Sequence, residues 1–323
     1  MPNFLKPPAL KKGSTIGVVV PAGPLNRERI DRAFGRVEAR GYRIKTYGDI
    51  YRSRDYLAGD DAMRAAEFMA AFEDPESTAV WCGRGGYGVM RILDRINFDV
   101  IRRNPKVFIG FSDITALHIP IQERASMVSF HGPNLQDGFG KPDDMPSANE
   151  IALWKLIGAK SEDRKSNEIR YDFSSVEGAN LQTIRGGTAT GRLTGGNLAT
   201  LVGLLGTPFD FDTAGCVLFL EDVSERVYRI DRYLSQLRLA GKFDALAGVL
   251  LGSFSYDGGD EAESKEKVAG LLSEVFAPLE VPVLGGFPAG HENYNLTLPM
   301  GAQVRLDSDG QNVTVCEQTT EES

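Results

Sequence analysis

The apolar positions of this chain fall into two rhythms. Residues 15–20 (Thr-Ile-Gly-Val-Val-Val) form a continuous apolar run, the pattern of a strand covered on both faces. Pro21, Gly23 and Pro24 end it, and Asn26 stands where a helix cap would. Over residues 27–40, Ile30, Phe34 and Val37 recur at helical spacing until Gly41. The alternation then repeats. Strands are predicted over 42–47, 78–82 and 106–111, and helices over 60–72 (with Met63, Ala66, Phe68, Met69 and Phe72) and 89–96. A helix reaching about residue 124, broken at Pro120, and a short strand over 127–130 follow. Strands and helices alternating at this length indicate an α/β domain with a mainly parallel sheet.

Residues 138–147 are rich in Gly, Pro, Asp and Ser and read as loop, and 151–156 as helix. The charged stretch 160–165 reads as a linker, dividing the chain into domains 1–160 and 161–323. The second half predicts strands over 168–171, 189–193, 216–220 and 247–252, and helices over 198–205 (capped by Gly195-Gly196-Asn197), 226–239 and 261–276. A run over 281–287 leads into Pro288-Ala289-Gly290-His291, and 303–306 with 313–316 make a hairpin by the Asp-Gly chemistry of their turn.

A length of 323 residues suits about two domains. The net charge of −8, without a long basic run, argues against nucleic acid or an anionic membrane as partner. The three cysteines, Cys82, Cys216 and Cys316, make no C-x-x-C pair and suit a reducing compartment. The apolar run at 16–20 is too short to span a bilayer, and residues 1–12 lack a signal-peptide core, so a cytoplasmic protein is expected. No cluster of His, Cys, Asp and Glu has ligand spacing, so neither metal nor cofactor is expected.

Candidate chemistry gathers where apolar runs stop. The run at 106–111 gives way to Ser112-Asp113 and then to a helical pattern, the layout of a nucleophile elbow. Ile114 stands where the second glycine of G-x-S-x-G would be, and Ser112 or Asp113 acting simply as a helix cap is the alternative. Glu221 and His291 likewise follow strand-like runs, and in α/β sheets ligands bind at the carboxyl ends of strands. Together the three residues make nucleophile, acid and base: a serine needs a histidine to take its proton, and a carboxylate fixes that histidine's tautomer. Of the other histidines, His118 reads as core packing and His131 as a second candidate base. The loop Gly83-Arg84-Gly85-Gly86-Tyr87-Gly88 matches neither a P-loop nor G-x-G-x-x-G; its backbone N–H groups suit an oxyanion instead. Arg84, with its neighbours Gly85 and Tyr87, is expected to contact substrate, the guanidinium pairing with a carboxylate.

These motifs resemble the bacterial LD-carboxypeptidases, or muramoyltetrapeptide carboxypeptidases, with the microcin C immunity peptidases as close relatives. The resemblance covers nearly the whole chain. It rests on Tyr56-Leu57-Ala58-Gly59, Arg84-Gly85-Gly86-Tyr87-Gly88, Ile109-Gly110-Phe111-Ser112-Asp113 and His131-Gly132-Pro133. It continues in Gly195-Gly196-Asn197-Leu198, Leu220-Glu221-Asp222-Val223, Tyr228-Arg229-Ile230-Asp231-Arg232 and Gly286-Phe287-Pro288-Ala289-Gly290-His291. It implies an N-terminal domain like the class I glutamine amidotransferases and a C-terminal domain with a small β-rich core and helices. It further implies Ser112 as nucleophile, Glu221 as acid and His291 as base, with the N–H groups of Gly86 (or Gly85) and Asp113 as oxyanion hole, in a cleft between the domains. The implied activity is release of terminal D-alanine from murein tetrapeptides by a metal-free cytoplasmic homodimer. The alternative is an immunity-type peptidase acting on peptidyl or aminoacyl nucleotides, and a non-catalytic muropeptide sensor is the reading from another class.

Overall fold

A computed structural model describes residues 4–159, 166–255 and 261–322; the expected linker at 160–165 lies outside them. The chain divides into two compact units. The first comprises Met1–Lys165, Thr297–Gly301 and Gln318–Ser323, and the second Ser166–Leu296 and Ala302–Glu317.

In the first unit, strands β1 (Thr15–Val19), β2 (Arg43–Thr46), β3 (Ser77–Cys82), β4 (Val107–Gly110) and β5 (Ser129–His131) alternate with helices α1 (Arg27–Glu38), α2 (Asp61–Glu73), α3 (Phe98–Arg103) and α4 (Thr115–Pro120), and α5 (Ser147–Ile157) follows. The α1 helix begins at Asn26, whose side chain accepts from Arg29 N–H, and buries Ile30, Ala33 and Val37 on one stripe. Asp60 caps α2 in the same way, through Met63 N–H at 2.9 Å. That helix buries Phe68 and Phe72 against Phe108 of β4. Both β1 and β4 are buried along their whole length, whereas β2, at the sheet edge, exposes Arg43 and Thr46. Beyond Pro120 the chain makes a wider π turn over Ile121–Ala125 and stops at Ser126, whose φ is +49°. This is the physical form of the expected break: proline cannot donate to the helix ladder.

The second unit contains β6 (Ile169–Arg170), β7 (Gln182–Arg185), β8 (Thr188–Asn197), α6 (Leu198–Leu204), β9 (Cys216–Asp222), α7 (Val227–Leu239), β10 (Gly248–Phe254), α8 (Glu261–Phe276) and β11 (Val283–Gly285). Three further strands close the chain: β12 (Leu298–Met300), β13 (Gln303–Asp307) and β14 (Asn312–Val315).

Among the described residues the first unit's sheet has the order β12-β5-β4-β3-β1-β2, parallel except for β12. The second sheet has the order β6-β14-β13-β8-β9-β10-β11-β7. Its centre, β8 to β11, is parallel, with α6, α7 and α8 as successive connections. The expected hairpin, β13–β14, pairs antiparallel beside β8. Among the described residues no helix is long and apolar enough to cross a membrane.

Two sequence expectations need correction. The second half does not stay together: β12 leaves the second unit and pairs antiparallel with β5, Leu298 opposite His131. The strand before α6 does not stop at residue 193 but runs through Gly195-Gly196 to Asn197, paired with β9 throughout.

Candidate active site

The first unit presents Ser112 at the carboxyl end of β4. The carbonyl of Gly110, last in that strand, accepts from Gly132 N–H at 3.1 Å and from His118 Nε2 at 2.8 Å. Donating through Nε2 leaves His118 Nδ1 to accept from the Ser129 hydroxyl at 2.8 Å. Burial pushes His118 down to about 4, so it is a neutral strut under the strand end. His131, also fully buried, lies with its ring 6.0 Å from Phe111 and 6.2 Å from His118.

Phe111 is extended and gives its N–H to Asn134 Oδ1 at 3.3 Å; the chain then turns abruptly. Ser112 has φ +68°, the left-handed region, which costs a non-glycine residue about 1–3 kcal/mol. One 3₁₀ turn, Ser112–Ile114, passes into α4. Neither Ser112 nor Asp113 caps that helix. The Asp113 carboxylate instead accepts from Val89 N–H at 2.9 Å, across in the segment after β3. Burial pushes its pKa up to about 6, against the opposing effects of that N–H and of the Arg64 charge. A strained serine on a strand–turn–helix, with no capping duty, is what an elbow requires.

The glycine loop lies against this turn. A Cβ on Gly85 would sit 2.9 Å from Ser112 Cβ and 3.1 Å from the Phe111 carbonyl oxygen, so only glycine permits the approach. The Gly85 carbonyl accepts from Gly23 N–H at 3.0 Å. Because the peptide is trans and planar, the Gly86 N–H points to the opposite side from that carbonyl. Neither this N–H nor that of Asp113 meets an acceptor among the described residues. Arg84 spends one N–H on the Pro24 carbonyl, at 2.8 Å. Tyr87 is 53% exposed and its ring meets that of Tyr56, itself 59% exposed, edge-on at 5.6 Å.

The second unit brings Glu221 and His291 together. Glu221 is the penultimate residue of β9 and fully buried; its Oε2 lies 2.7 Å from His291 Nδ1. A carboxylate at Nδ1 holds the proton there and leaves Nε2 as the basic nitrogen. The other oxygen, Oε1, is buried without a hydrogen-bond partner, so the imidazole is the one group engaged by this carboxylate among the described residues. Gly290 delivers the histidine: at φ +134° its backbone passes so close that a Cβ would lie 2.9 Å from Glu221 Oε2 and 2.3 Å from Ser253 Oγ.

Two supporting residues receive no role from the sequence reading, although Asp222 stands in the Leu220-Glu221-Asp222-Val223 motif. Asp222 turns to the other face, accepting from Asn197 Nδ2 at 3.0 Å and Ala199 N–H at 3.1 Å, and so fixes the β8–α6 junction beside Glu221. Burial, and then the charge of Glu221, push its pKa up to about 7. Arg64 looks like any charge within a helix until its complete burial is seen.

Residues 16–132 match the LD-carboxypeptidase N-terminal domain and residues 190–306 the LD-carboxypeptidase C-terminal domain. The chain is 36% identical over 303 residues to the probable murein peptide carboxypeptidase of Bacillus subtilis, covering 94% of this chain and 92% of that protein. It is 28% identical over 328 residues to the microcin C7 self-immunity protein MccF of Escherichia coli, covering 96% and 95%. A solved structure of MccF matches 98% of this chain and all of its own with a TM-score of 0.88, at 27% identity. The muramoyltetrapeptide carboxypeptidase of Oxalobacter formigenes gives a TM-score of 0.79 at 28% identity, over 94% of this chain and 98% of that one.

Proposed function

Because this chain belongs to the LD-carboxypeptidase family, we propose that it is a serine LD-carboxypeptidase that hydrolyses the L,D amide releasing terminal D-alanine from murein tetrapeptides. The assignment rests above all on Ser112, a serine held at positive φ at a strand end beside two unengaged backbone N–H groups. In this mechanism the Ser112 hydroxyl attacks the amide carbonyl while His291 Nε2 takes its proton. The buried Glu221 carboxylate stabilises the resulting imidazolium. The N–H groups of Gly86 and Asp113 hold the tetrahedral oxyanion, each worth about 3 kcal/mol of barrier. His291 returns its proton to the departing D-alanine amine, then activates the water that frees the tripeptide from Ser112.

Arg84 is assigned to the terminal carboxylate, since its planar fork suits that group and it adjoins Gly85. Tyr87 flanks the same loop, and Gly85 leaves the space beside Ser112 open. Replacing Arg84 with Met is expected to raise KM for the tetrapeptide about tenfold or more, as loss of a charge-assisted pair demands. An unchanged KM would remove Arg84 from recognition. With it we propose a cytoplasmic location, which suits Cys82, Cys216 and Cys316, none of them in a disulfide, and a homodimer, which size-exclusion with light scattering tests.

MccF-type immunity is the second reading, favoured by the likeness to MccF along 98% of this chain. One experiment separates them: murein tetrapeptide and an aminoacyl sulfamoyl adenylate are offered in parallel, with D-alanine and free amino acid quantified. D-alanine release supports the carboxypeptidase. Cleavage of the adenylate alone moves the chain to the immunity activity.

A further inference from the structure

Arg64 lies in the first turn of α2, on a stripe that otherwise buries Ala65, Phe68, Ala71 and Phe72. It is 1% exposed. An apolar side chain would pack there at less cost, because a buried guanidinium must be desolvated and every donor satisfied. Here one donor is not: Nε finds no acceptor among the described residues. The stability of the helix therefore does not account for this arginine, and its partners do.

Its Nη1 donates to the Pro21 carbonyl and, at 2.9 Å, to the Gly88 carbonyl; its Nη2 donates to Asp61 Oδ1 at 2.6 Å. Asp61 is steadied in turn by Arg91, at 3.0 Å. Pro21 opens the loop after β1 and Gly88 closes the glycine loop after β3, so one side chain ties together the two loops that meet at the Gly23–Gly85 hydrogen bond. The Gly88 carbonyl and the Val89 N–H belong to a single peptide plane. Arg64 grips one edge of it and the Asp113 carboxylate the other, at 2.9 Å. Gly88 has φ +120°, and a Cβ there would lie 3.0 Å from Arg64 Nη1, so the loop backbone rests directly on the guanidinium.

We infer that Arg64 is a positioning residue: with Asp113 it clamps the Gly88–Val89 peptide and thereby sets the spacing between the Gly86 N–H in the glycine loop and the Asp113 N–H beside Ser112. The inference rests on the assignment of those two groups to the oxyanion. A clamp of this kind acts on the transition state and leaves substrate affinity largely alone.

The test uses full-length Arg64→Lys, which keeps the charge but not the fork, together with Asp113→Ala, Asp113→Asn and the Arg64→Lys/Asp113→Ala double variant. Two activities are read beside the melting temperature: kcat and KM on the tetrapeptide, and the rate at which a fluorophosphonate labels Ser112. Arg64→Lys and Asp113→Ala are each expected to lower kcat and the labelling rate about 30- to 300-fold with KM within about threefold, somewhat less than the roughly 100- to 1,000-fold for removing an oxyanion donor outright, because here the donor is displaced and not lost. Asp113→Asn, which keeps an acceptor for Val89 N–H, recovers most of the loss. The double variant is little worse than the weaker single one, because both changes release the same peptide. A labelling rate unchanged in variants whose melting temperature falls would overturn the clamp, as would fully additive losses. A wild type that takes the fluorophosphonate but releases no D-alanine would overturn the substrate assignment alone, and the labelling rates would still decide the clamp.

Discussion

Replacing Glu221 with Gln changes one atom and should separate activity from stability. In the native protein Oε2 sits 2.7 Å from His291 Nδ1 with the carboxylate fully buried. At that distance and an effective dielectric of about 20, the attraction between carboxylate and imidazolium is about 6 kcal/mol, a ceiling on what the pair contributes when His291 is charged. Glutamine keeps the shape but can turn its amide NH₂ toward Nδ1. The imidazole proton then moves to Nε2, and the base is blocked. In the serine-protease triad the corresponding change costs about 10⁴ in kcat. A loss of 10³ to 10⁴, about 4–5.5 kcal/mol of barrier at 1.36 kcal/mol per decade, is expected here. Stability should move the other way or not at all, because the substitution removes a buried charge whose Oε1 has no partner. Steady-state D-alanine release and urea unfolding, on the same preparations, measure both quantities. A loss of activity below about tenfold, or one matched by loss of the fold, would refute the role given to Glu221.

Three further outcomes are expected. Gly85→Ala pushes a methyl to within 2.9 Å of Ser112 Cβ and should lower kcat about 100-fold or more, since an ångström of misplacement costs about that much; stopped assays of D-alanine release read it. Gly290→Ala, at φ +134° and against Glu221 Oε2, should reduce stability by about 1–3 kcal/mol, measured by urea unfolding, and weaken the His291–Glu221 contact. Asp222 has its folded pKa raised to about 7, so the stability linked to it is full below the unfolded value, about 3.9, and is lost as pH rises through about 7. The melting temperature of Asp222→Asn, relative to wild type, should therefore rise between pH 5 and pH 8; a flat difference would mean that Asp222 does not titrate there.

Much of this architecture was legible because its signals are local. The apolar run into Gly110, the stop, and the helix pattern after Ser112 predict strand, turn and helix from adjacent residues, and β4 and α4 follow. Asn26 announces α1 by cap chemistry that operates within one turn, and the apolar stripe of Phe68 and Phe72 announces α2. What stayed hidden depends on distant partners. Leu298–Met300 is short and contains Pro299, and only pairing with β5 makes it a strand. Gln182–Arg185 is polar and mostly exposed, as an edge strand can be, and has no alternating pattern to reveal it. Asp113 looks like a helix cap by type and position, yet its carboxylate is claimed by Val89 N–H, 24 residues away in the chain. Arg64 is unreadable for the same reason, since its partners, Pro21 and Gly88, lie on two other loops.

Trapping the covalent intermediate tests the central claim most directly. Wild-type protein is mixed with murein tetrapeptide, quenched in acid within the first turnovers, and analysed by intact mass and peptide mapping. The mechanism predicts a tripeptidyl ester on Ser112 that is absent from Ser112→Ala and His291→Gln, neither of which releases D-alanine. An adduct on another residue, or turnover by Ser112→Ala, would contradict it.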